Sequence, residues 1–211
     1  MDDTAMAWMP ASKPHGVQLG PFAIVGAQTA AIARQDVALD ARVPERSLRL
    51  VPHGRGSPRR REIEAFIRAE YREHFGADVR EFMPTLIALH DTTDRICAAV
   101  GCRSAALEPL FLEIYADEHI ESLIAERTGV AVRRERIVEI GSLACRDGRA
   151  AFAIVRALVP FLIGAGFTWV AFTGADTVVS VLRRLKLEPL ALCVADGRKL
   201  GAARHTWGSY Y

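Results

Sequence analysis

The sequence predicts an α/β fold in which helices cover both faces of a mixed β-sheet. Two observations favour this fold. From residue 47 onward, short apolar segments with strand periodicity alternate with longer segments of helical periodicity. Two of the strands are separated only by the turn Asp91–Asp94, so they form an antiparallel hairpin, whereas strand–helix–strand units require parallel neighbours. The sheet is therefore expected to contain strand pairs of both kinds.

The first half of the predicted domain contains a strand, a helix and the hairpin. Ser47–Pro52 has the composition of a strand, and Arg60–Phe75 is predicted to be a helix. Its apolar residues recur at helical spacing on one face: Ile63, Phe66, Ile67 and Tyr71. The two hairpin strands are Thr85–His90 and Arg95–Arg103.

The second half of the domain alternates helices and strands. The apolar segment Leu110–Tyr115 has no decisive periodicity, so its state stays open. The remaining predicted elements are the helix Glu118–Thr128, the strand Ile137–Cys145, the helix Arg149–Ala165, the strand Thr168–Thr173, a helix that opens at Thr173–Asp176, and the strand Pro189–Ala195. Gly129 supplies a left-handed residue that closes a helix, and Thr173–Asp176 fits a capping box. The helix at 149–165 is apolar nearly all round, so we expect it to be buried and to kink at Pro160.

Residues 1–46 are predicted to be an extension of the domain at 47–211. Prolines and glycines break any long element there: Pro10, Pro14, Gly16, Gly20, Pro21 and Pro44. The short apolar stretch Phe22–Ile32 is compatible with a helix or a strand. We expect the extension to be partly disordered and to pack against the domain in places.

The composition is that of a globular protein and argues against nucleic-acid binding. The chain has 211 residues, of which 50% are hydrophobic and 25% are charged. With 27 basic and 25 acidic side chains, the net charge of +2 offers little attraction for a polyanion. Only three basic residues are lysines, which is typical of the codon bias of a GC-rich bacterial genome.

Cysteine usage and the N-terminus predict a cytoplasmic protein. The four cysteines form no C-x-x-C pair and are too few for a disulfide scaffold. The opening Met-Asp-Asp-Thr lacks the basic residues of a signal peptide. Residues 157–175 carry no charge, but Pro160, Gly164 and Gly166 interrupt them, so they predict a buried helix, a turn and a strand rather than a membrane span. The six histidines show no ligand spacing, so no metal site is expected.

The strand at 137–145 carries the most informative residues. Glu139 lies mid-strand, and alternation places it on one face with Ile137, Gly141 and Leu143. A carboxylate on an apolar face requires a partner, for which Arg103 is a candidate, or a raised pKa that suits a functional site. A mid-strand glycine indicates a bulge or a close approach by another backbone or a ligand. We therefore expect this strand to pair incompletely with the strand at 168–173, leaving a cleft with free amides.

The segment that follows this strand opens a helix and suits a phosphate group. Arg146 and Arg149 flank a glycine in the run Arg-Asp-Gly-Arg-Ala-Ala, and backbone amides at a helix N-terminus attract anions. Arg133, Arg134 and Arg136 lie within the same short stretch of sequence. We expect all five arginines to form one basic rim at a donor entrance.

Several separated motifs carry a family resemblance. They are Tyr71-Arg-Glu-His-Phe-Gly-Ala-Asp78, Phe82-Met-Pro-Thr-Leu86, Gly101-Cys-Arg-Ser-Ala105, Pro109-Leu-Phe-Leu-Glu-Ile-Tyr115, Ile137-Val-Glu-Ile-Gly-Ser-Leu-Ala144, Phe172-Thr173 and Trp207-Gly-Ser-Tyr-Tyr211. With them, the chain from about residue 61 to 211 resembles the thermostable hemolysin family. The order of elements resembles the GNAT acyltransferase superfamily. Arg103, the Pro-Leu-Phe segment and Glu139 are more weakly similar to acyl-homoserine-lactone synthases.

The resemblance implies an acyltransferase that takes an acyl group, long chains included, from acyl-CoA or acyl carrier protein. The acceptor would be an amine or hydroxyl of a small molecule. The GNAT signature R/Q-x-x-G-x-G/A is not reproduced in full: with Arg146 at its first position, Ala151 stands at its last small residue, but Arg149 stands where its glycine would be. This departure leaves room for a carrier-protein donor. The alternative is a membrane-active hemolysin-type or interaction protein without catalysis, and a homodimer stays open.

The resemblance also assigns roles to individual residues. Glu139 is expected to be the base or to bind the acceptor amine, with Glu113 as the second candidate, and Arg103 to orient one of them or to bind an acceptor carboxylate. The residues expected to bind the donor are Gly141, Ser142, Leu143, Arg146, Arg149 and Ala150. The residues expected to contact substrate are Phe111, Tyr115, Phe172 and Trp207.

Overall fold

In the part of the chain that the structure describes, seven β-strands form one mixed sheet. The computed structural model describes residues 48–174 and 189–210 and, as backbone, 22–25. The strands are β1 (Phe22–Val25), β2 (Arg49–His53), β3 (Thr85–His90), β4 (Ile96–Ser104), β5 (Ile137–Cys145), β6 (Trp169–Gly174) and β7 (Leu190–Val194). Their order in the sheet is β2-β3-β4-β5-β6-β1-β7. The predicted mixed α/β sheet is confirmed.

One parallel pair divides two antiparallel parts of the sheet. Strands β2 to β5 form an antiparallel meander, β5 and β6 run parallel, and β1 pairs antiparallel with both β6 and β7. Phe22–Val25 is thus a strand, one of the two states its sequence allowed. It lies inside the sheet although it belongs to the segment 1–46 that was expected to be an extension.

Helices cover both faces of the sheet, as predicted. The α-helices are α1 (Arg60–Phe75), α2 (Ile120–Thr128) and α3 (Gly148–Gly164), and 3-10 helices span Phe111–Tyr115, Arg134–Arg136 and Gly197–Trp207. Helices α1 and α2 and the 3-10 helix at 111–115 pack on one face, here named the α1 face. Helix α3 packs on the opposite face through Ile154, Leu158 and Leu162.

The predicted elements agree closely with the observed ones. Helix α1 and strand β5 have the predicted bounds, and Gly129 closes α2 with a φ of 70°. The segment at 111–115, whose state the sequence left open, is a single 3-10 turn. The helix expected after Thr173–Asp176 lies outside the described residues. In the described part of the chain, no helix combines the length and the apolar character needed to cross a membrane.

Candidate active site

Strands β5 and β6 part in the middle of the sheet. Their parallel register covers three pairs and ends at Glu139 opposite Ala171. Beyond that point β5 continues to Cys145 against β4, while β6 continues to Gly174 against β1. The region between Ile140–Cys145 and Phe172–Gly174 is here named the fork. The expected incomplete pairing of these two strands is confirmed.

A β-bulge in β5 lies beside the fork. Ala99 pairs with Ala144 and Gly101 pairs with Gly141, so two β5 residues, Ser142 and Leu143, stand opposite a single β4 residue. Ser142 has a φ of 52°, a left-handed conformation that costs a non-glycine residue about 1–3 kcal/mol. Bulges change the direction of a strand and are common beside active sites. The bulge explains why β5 turns away from β6.

The bulge corrects the predicted face of Leu143. Strict alternation placed Leu143 with Glu139 and Gly141, but the extra residue moves it to the opposite face, where it packs against the α3 cluster. Ser142 is thus the residue that absorbs the change of register. The alternation rule fails here because it assumes an unbroken strand.

Gly141 faces Gly101 across the strand pair, and a methionine covers both. A Cβ on Gly101 would lie 3.0 Å from the Met83 Cβ, and a Cβ on Gly141 would lie 2.7 Å from the Met83 Cε. Met83 is almost buried, at 9% exposure. In addition to the bulge, the close approach predicted from Gly141 is therefore made by the Met83 side chain.

Glu139 is buried on the α1 face and holds the 3-10 helix at 111–115. Its Oε2 accepts a hydrogen bond from the Phe111 amide and its Oε1 one from the Leu112 amide, both at 2.9 Å. Burial raises the pKa of this carboxyl, while the two amides and the nearby Arg103 oppose the rise. Each carboxylate oxygen thus accepts one backbone hydrogen bond.

Arg103 lies directly opposite Glu139 in the strand pair. Its Nε is 3.9 Å from the Glu139 Oε2 and 3.7 Å from a Glu108 carboxylate oxygen, and its Nη1 donates to the Pro109 carbonyl at 3.0 Å. Within the described residues the buried Nε has no hydrogen-bond partner. Arg103 therefore combines the ion pair considered from the sequence with one donor that remains available.

Glu113 lies in a separate, fully occupied network. Its carboxylate accepts from the Arg134 guanidinium at 2.7 Å and from the Ile120 and Leu110 amides at 3.1 and 3.0 Å. Burial alone would raise its pKa, but Arg134 and the two amides outweigh burial and lower the pKa to about 2. Such a weak base has little use in proton transfer near neutral pH. The geometry therefore argues against Glu113 as the second candidate base.

The N-terminus of α3 follows β5 directly and carries its own carboxylate. Asp147 caps the helix, because its Oδ1 accepts from the Ala150 amide at 2.8 Å. Arg146 and Arg149 are both exposed on either side of it, and the Arg146 guanidinium lies 5.9 Å from the Phe66 ring centroid. The Ala150 amide, expected to bind donor, is thus already paired with a side chain.

A comparison with protein families decides the family of the chain. A family model described as Thermostable hemolysin matches residues 53–211. The chain belongs to the thermostable hemolysin family. The matched region includes the fork, the bulge and every residue expected to act on donor or acceptor. A search of curated proteins found no match to this hemolysin-family chain.

The C-terminal segment of this thermostable hemolysin family member docks beside the fork. Trp207 lies 6.4 Å from Phe111 and 5.6 Å from Tyr210, measured between ring centroids. The Tyr210 side chain hydrogen-bonds to Thr173, two residues beyond Ala171, the last β6 residue that pairs with β5. Trp207 and Phe111, both expected to contact substrate, therefore meet in one aromatic wall on the α1 face.

The other two expected substrate contacts are buried in this hemolysin-family fold. Tyr115 is 3% exposed and its ring lies 6.1 Å from that of Phe111. Phe172 is 7% exposed and lies on the β6 side of the fork. Tyr115 therefore supports the aromatic wall, while Phe172 borders the fork.

The prediction that five arginines of this hemolysin-family chain form one basic rim is wrong. Arg133, Arg134 and Arg136 precede β5, whereas Arg146 and Arg149 follow it, and eight residue steps of a strand span about 26 Å. Arg134 pairs with Glu113 and Glu121, and the Arg136 Nη1 donates to the Gly166 carbonyl. Closeness in sequence does not give closeness in space when a strand lies between.

Proposed function

We propose that the protein is an acyltransferase that moves an acyl group from a thioester donor to an amine or hydroxyl of a small acceptor. One observation carries the proposal: β5 and β6 part beside a bulge, so among the described residues no strand pairs with the inner edge of β5 from Ile140 onward. An open strand edge presents backbone donors and acceptors. The pantetheine arm of acyl-CoA or acyl carrier protein contains two amides, which suit such an edge as an added strand does.

The charges at the end of β5 support a phosphate at the mouth of the fork. Arg146 and Arg149 contribute two positive charges and Asp147 removes one, at the N-terminus of α3. A net single charge suits the one phosphodiester of a carrier-protein arm at least as well as the diphosphate of CoA. Both donors therefore belong in the test.

The transfer needs one proton acceptor and no redox chemistry. The acceptor nitrogen or oxygen attacks the thioester carbon, the new C–N or C–O bond forms, and the C–S bond breaks to release a thiolate. Glu139 is the proposed base, because burial raises its pKa and it lies two residues before Gly141 on the α1 face. The Arg103 Nε–H, for which the described residues offer no hydrogen-bond acceptor, would orient Glu139 or hold an acceptor carboxylate.

The experiment that tests this function measures thiol release. Acetyl, octanoyl and palmitoyl thioesters of CoA and of acyl carrier protein are incubated with the protein and a panel of amino acids, amino alcohols and diamines. We expect at least one combination to release thiol and to yield acylated acceptor by mass spectrometry. In Glu139→Gln the rate should fall by about 10²–10⁴, the usual contribution of a general base.

Glu113→Gln is the matched control, because it too replaces a carboxylate that accepts two backbone amides. Its turnover per folded molecule should stay near that of the natural chain. Equal turnover in Glu139→Gln would remove Glu139 as the base. The absence of thiol release with every donor would overturn the function, and dye release from lipid vesicles by the same protein would instead support the membrane-active alternative.

A further inference from the structure

Gly101 and Gly141 form a trough in the α1 face of the sheet. They lie opposite each other in the β4–β5 register, so the floor of the sheet lacks two neighbouring side chains at this point. Along both strands the glycine pair separates two apolar clusters: Ala99 and Ala144 pack under α1, whereas Ile137 packs with α2 and the 3-10 helix at 111–115. The gap between these clusters is here named the trough.

The Met83 side chain fills the trough. The Met83 Cβ, Cγ and Sδ lie within 3.0–3.1 Å of a Cβ built on Gly101, and its Cε lies 2.7 Å from one built on Gly141. The side chain thus runs along the floor from one glycine to the other. A methionine is unbranched and adaptable, so it can leave such a site by rotating about its own bonds.

The backbone of Met83 is fixed independently of its side chain. Arg60, on α1, donates from Nη2 to the Met83 carbonyl and from Nη1 to the Pro84 carbonyl, both at 2.8 Å. Arg60 is itself buried and paired with Glu64. Movement of the Met83 side chain therefore requires no movement of the segment that carries it.

The trough meets the fork at the proposed reaction centre. Gly141 immediately precedes the bulge residue Ser142, where β5 has already parted from β6. The next residues along the same face are Arg103 on β4 and Glu139 on β5. A thioester carbonyl at the bulge would thus have the proposed base on one side and the trough directly beneath it.

We propose that the trough is the acyl-chain site of the donor and that Met83 sets the length of chain it accepts. This inference rests on the acyltransferase function proposed above. The chain is an unbranched fatty acyl group, because the floor is two glycines wide and its walls are apolar. In the natural protein the acyl chain either displaces the Met83 side chain or ends against it.

The test compares chain-length preference in Met83→Ala and Met83→Phe. Met83→Ala removes three heavy atoms, so the preferred acyl chain should lengthen by about three carbons, with the preference for the longer chain rising about tenfold or more. Met83→Phe should shorten it. Affinities are measured by calorimetry with unreactive thioether analogues of acyl-CoA whose chains run from acetyl to palmitoyl length, so the readout does not depend on turnover.

Leu162→Ala is the control, because it empties a buried site of similar size on the opposite face. It should lower stability and leave the length preference unchanged. If analogues bind but neither Met83 variant shifts the preference, the trough is not the acyl site, although the proposed function stands. If no analogue or acyl carrier protein binds the natural chain, the proposed function itself fails. A Met83→Ala chain that does not fold leaves the decision to Met83→Phe.

Discussion

Replacing Glu113 with glutamine should destabilise the protein without removing the proposed acyltransferase activity. The pKa of Glu113 is lowered from 4.5 to about 2, and its side chain is only 12% exposed. A depression of this size corresponds to about 3 kcal/mol of stability at neutral pH. Because 1 kcal/mol shifts the melting temperature of a chain of this size by roughly 2–4 °C, Glu113→Gln should melt roughly 6–12 °C lower at pH 7.

The pH dependence of that difference provides the sharper assay. A carboxyl whose folded pKa lies below its unfolded pKa stabilises the fold fully above the unfolded value, and the stabilisation is lost as the pH falls toward the folded value. The melting difference between the natural chain and Glu113→Gln should therefore be constant from pH 7 to about pH 5.5 and shrink below pH 4.5. Differential scanning calorimetry across this range measures it.

The matched control is Glu135→Gln, which breaks an exposed pair with Arg133 at 3.4 Å. Exposed ion pairs contribute about 0–1 kcal/mol, so this variant should melt close to the natural chain. Melting temperatures shift by about 2–4 °C per kcal/mol, so a Glu113→Gln protein that melts within about 2 °C of the natural chain would refute the structural role of this network. So would a difference that does not change with pH.

Two further variants test the neighbouring features. Gly208→Ala should undock the C-terminal segment and lower the melting temperature sharply, because a Cβ there collides with the Phe75 carbonyl oxygen. The control Gly201→Ala should lower it far less, because Gly201 has the same φ of 56° but open space around it. Equal melting temperatures of the two variants would refute the docking. The double variant Arg146→Ala with Arg149→Ala should weaken donor binding, and most strongly at low salt. The control double variant Arg133→Ala with Arg136→Ala, at the far end of β5, should not weaken it. Calorimetric titration compares the two, and an equal loss of donor affinity would remove the mouth of the fork from the donor site.

Local periodicity determined the elements that the sequence predicted best. Ile63, Ile67 and Tyr71, which recur at helical spacing, are buried as expected, and helix α1 ends before Gly76, whose φ is 63°. Strand β5 was equally clear, because β-branched and apolar residues dominate Ile137–Cys145. In both cases the signal lies within the element itself.

The parts that the sequence did not predict depend on distant residues. The 3-10 helix at Phe111–Tyr115 depends on the Glu139 carboxylate, more than twenty residues away, as well as on the local bond from the Leu110 amide to Glu113, so the segment alone does not decide its state. Met83 is equally hidden, because a glycine in a strand indicates a close approach but not the identity of the neighbour.

One missed feature had a local signal. Asp147 stands two residues before the predicted helix at 149–165 and directly before the observed α3, and aspartate is among the preferred N-cap residues. Reading the segment only for arginine and glycine overlooked the carboxylate that now pairs with the Ala150 amide. The fold was therefore largely predictable, whereas the hydrogen-bond and packing partners of each site residue were not.

Hydrogen exchange along β5 tests most directly the central claim that the fork binds the thioester donor. In the free protein, amides at 140–145 that face the fork should exchange faster than those at 137–139, which lie between two paired strands. Addition of a saturating unreactive acyl-CoA or acyl-carrier-protein analogue should slow exchange at 140–145 and at 172–174, and leave the hairpin of β3 and β4 around Asp91 unchanged. Exchange at the fork that is identical with and without every analogue, or protection confined to another part of the chain, would contradict the account.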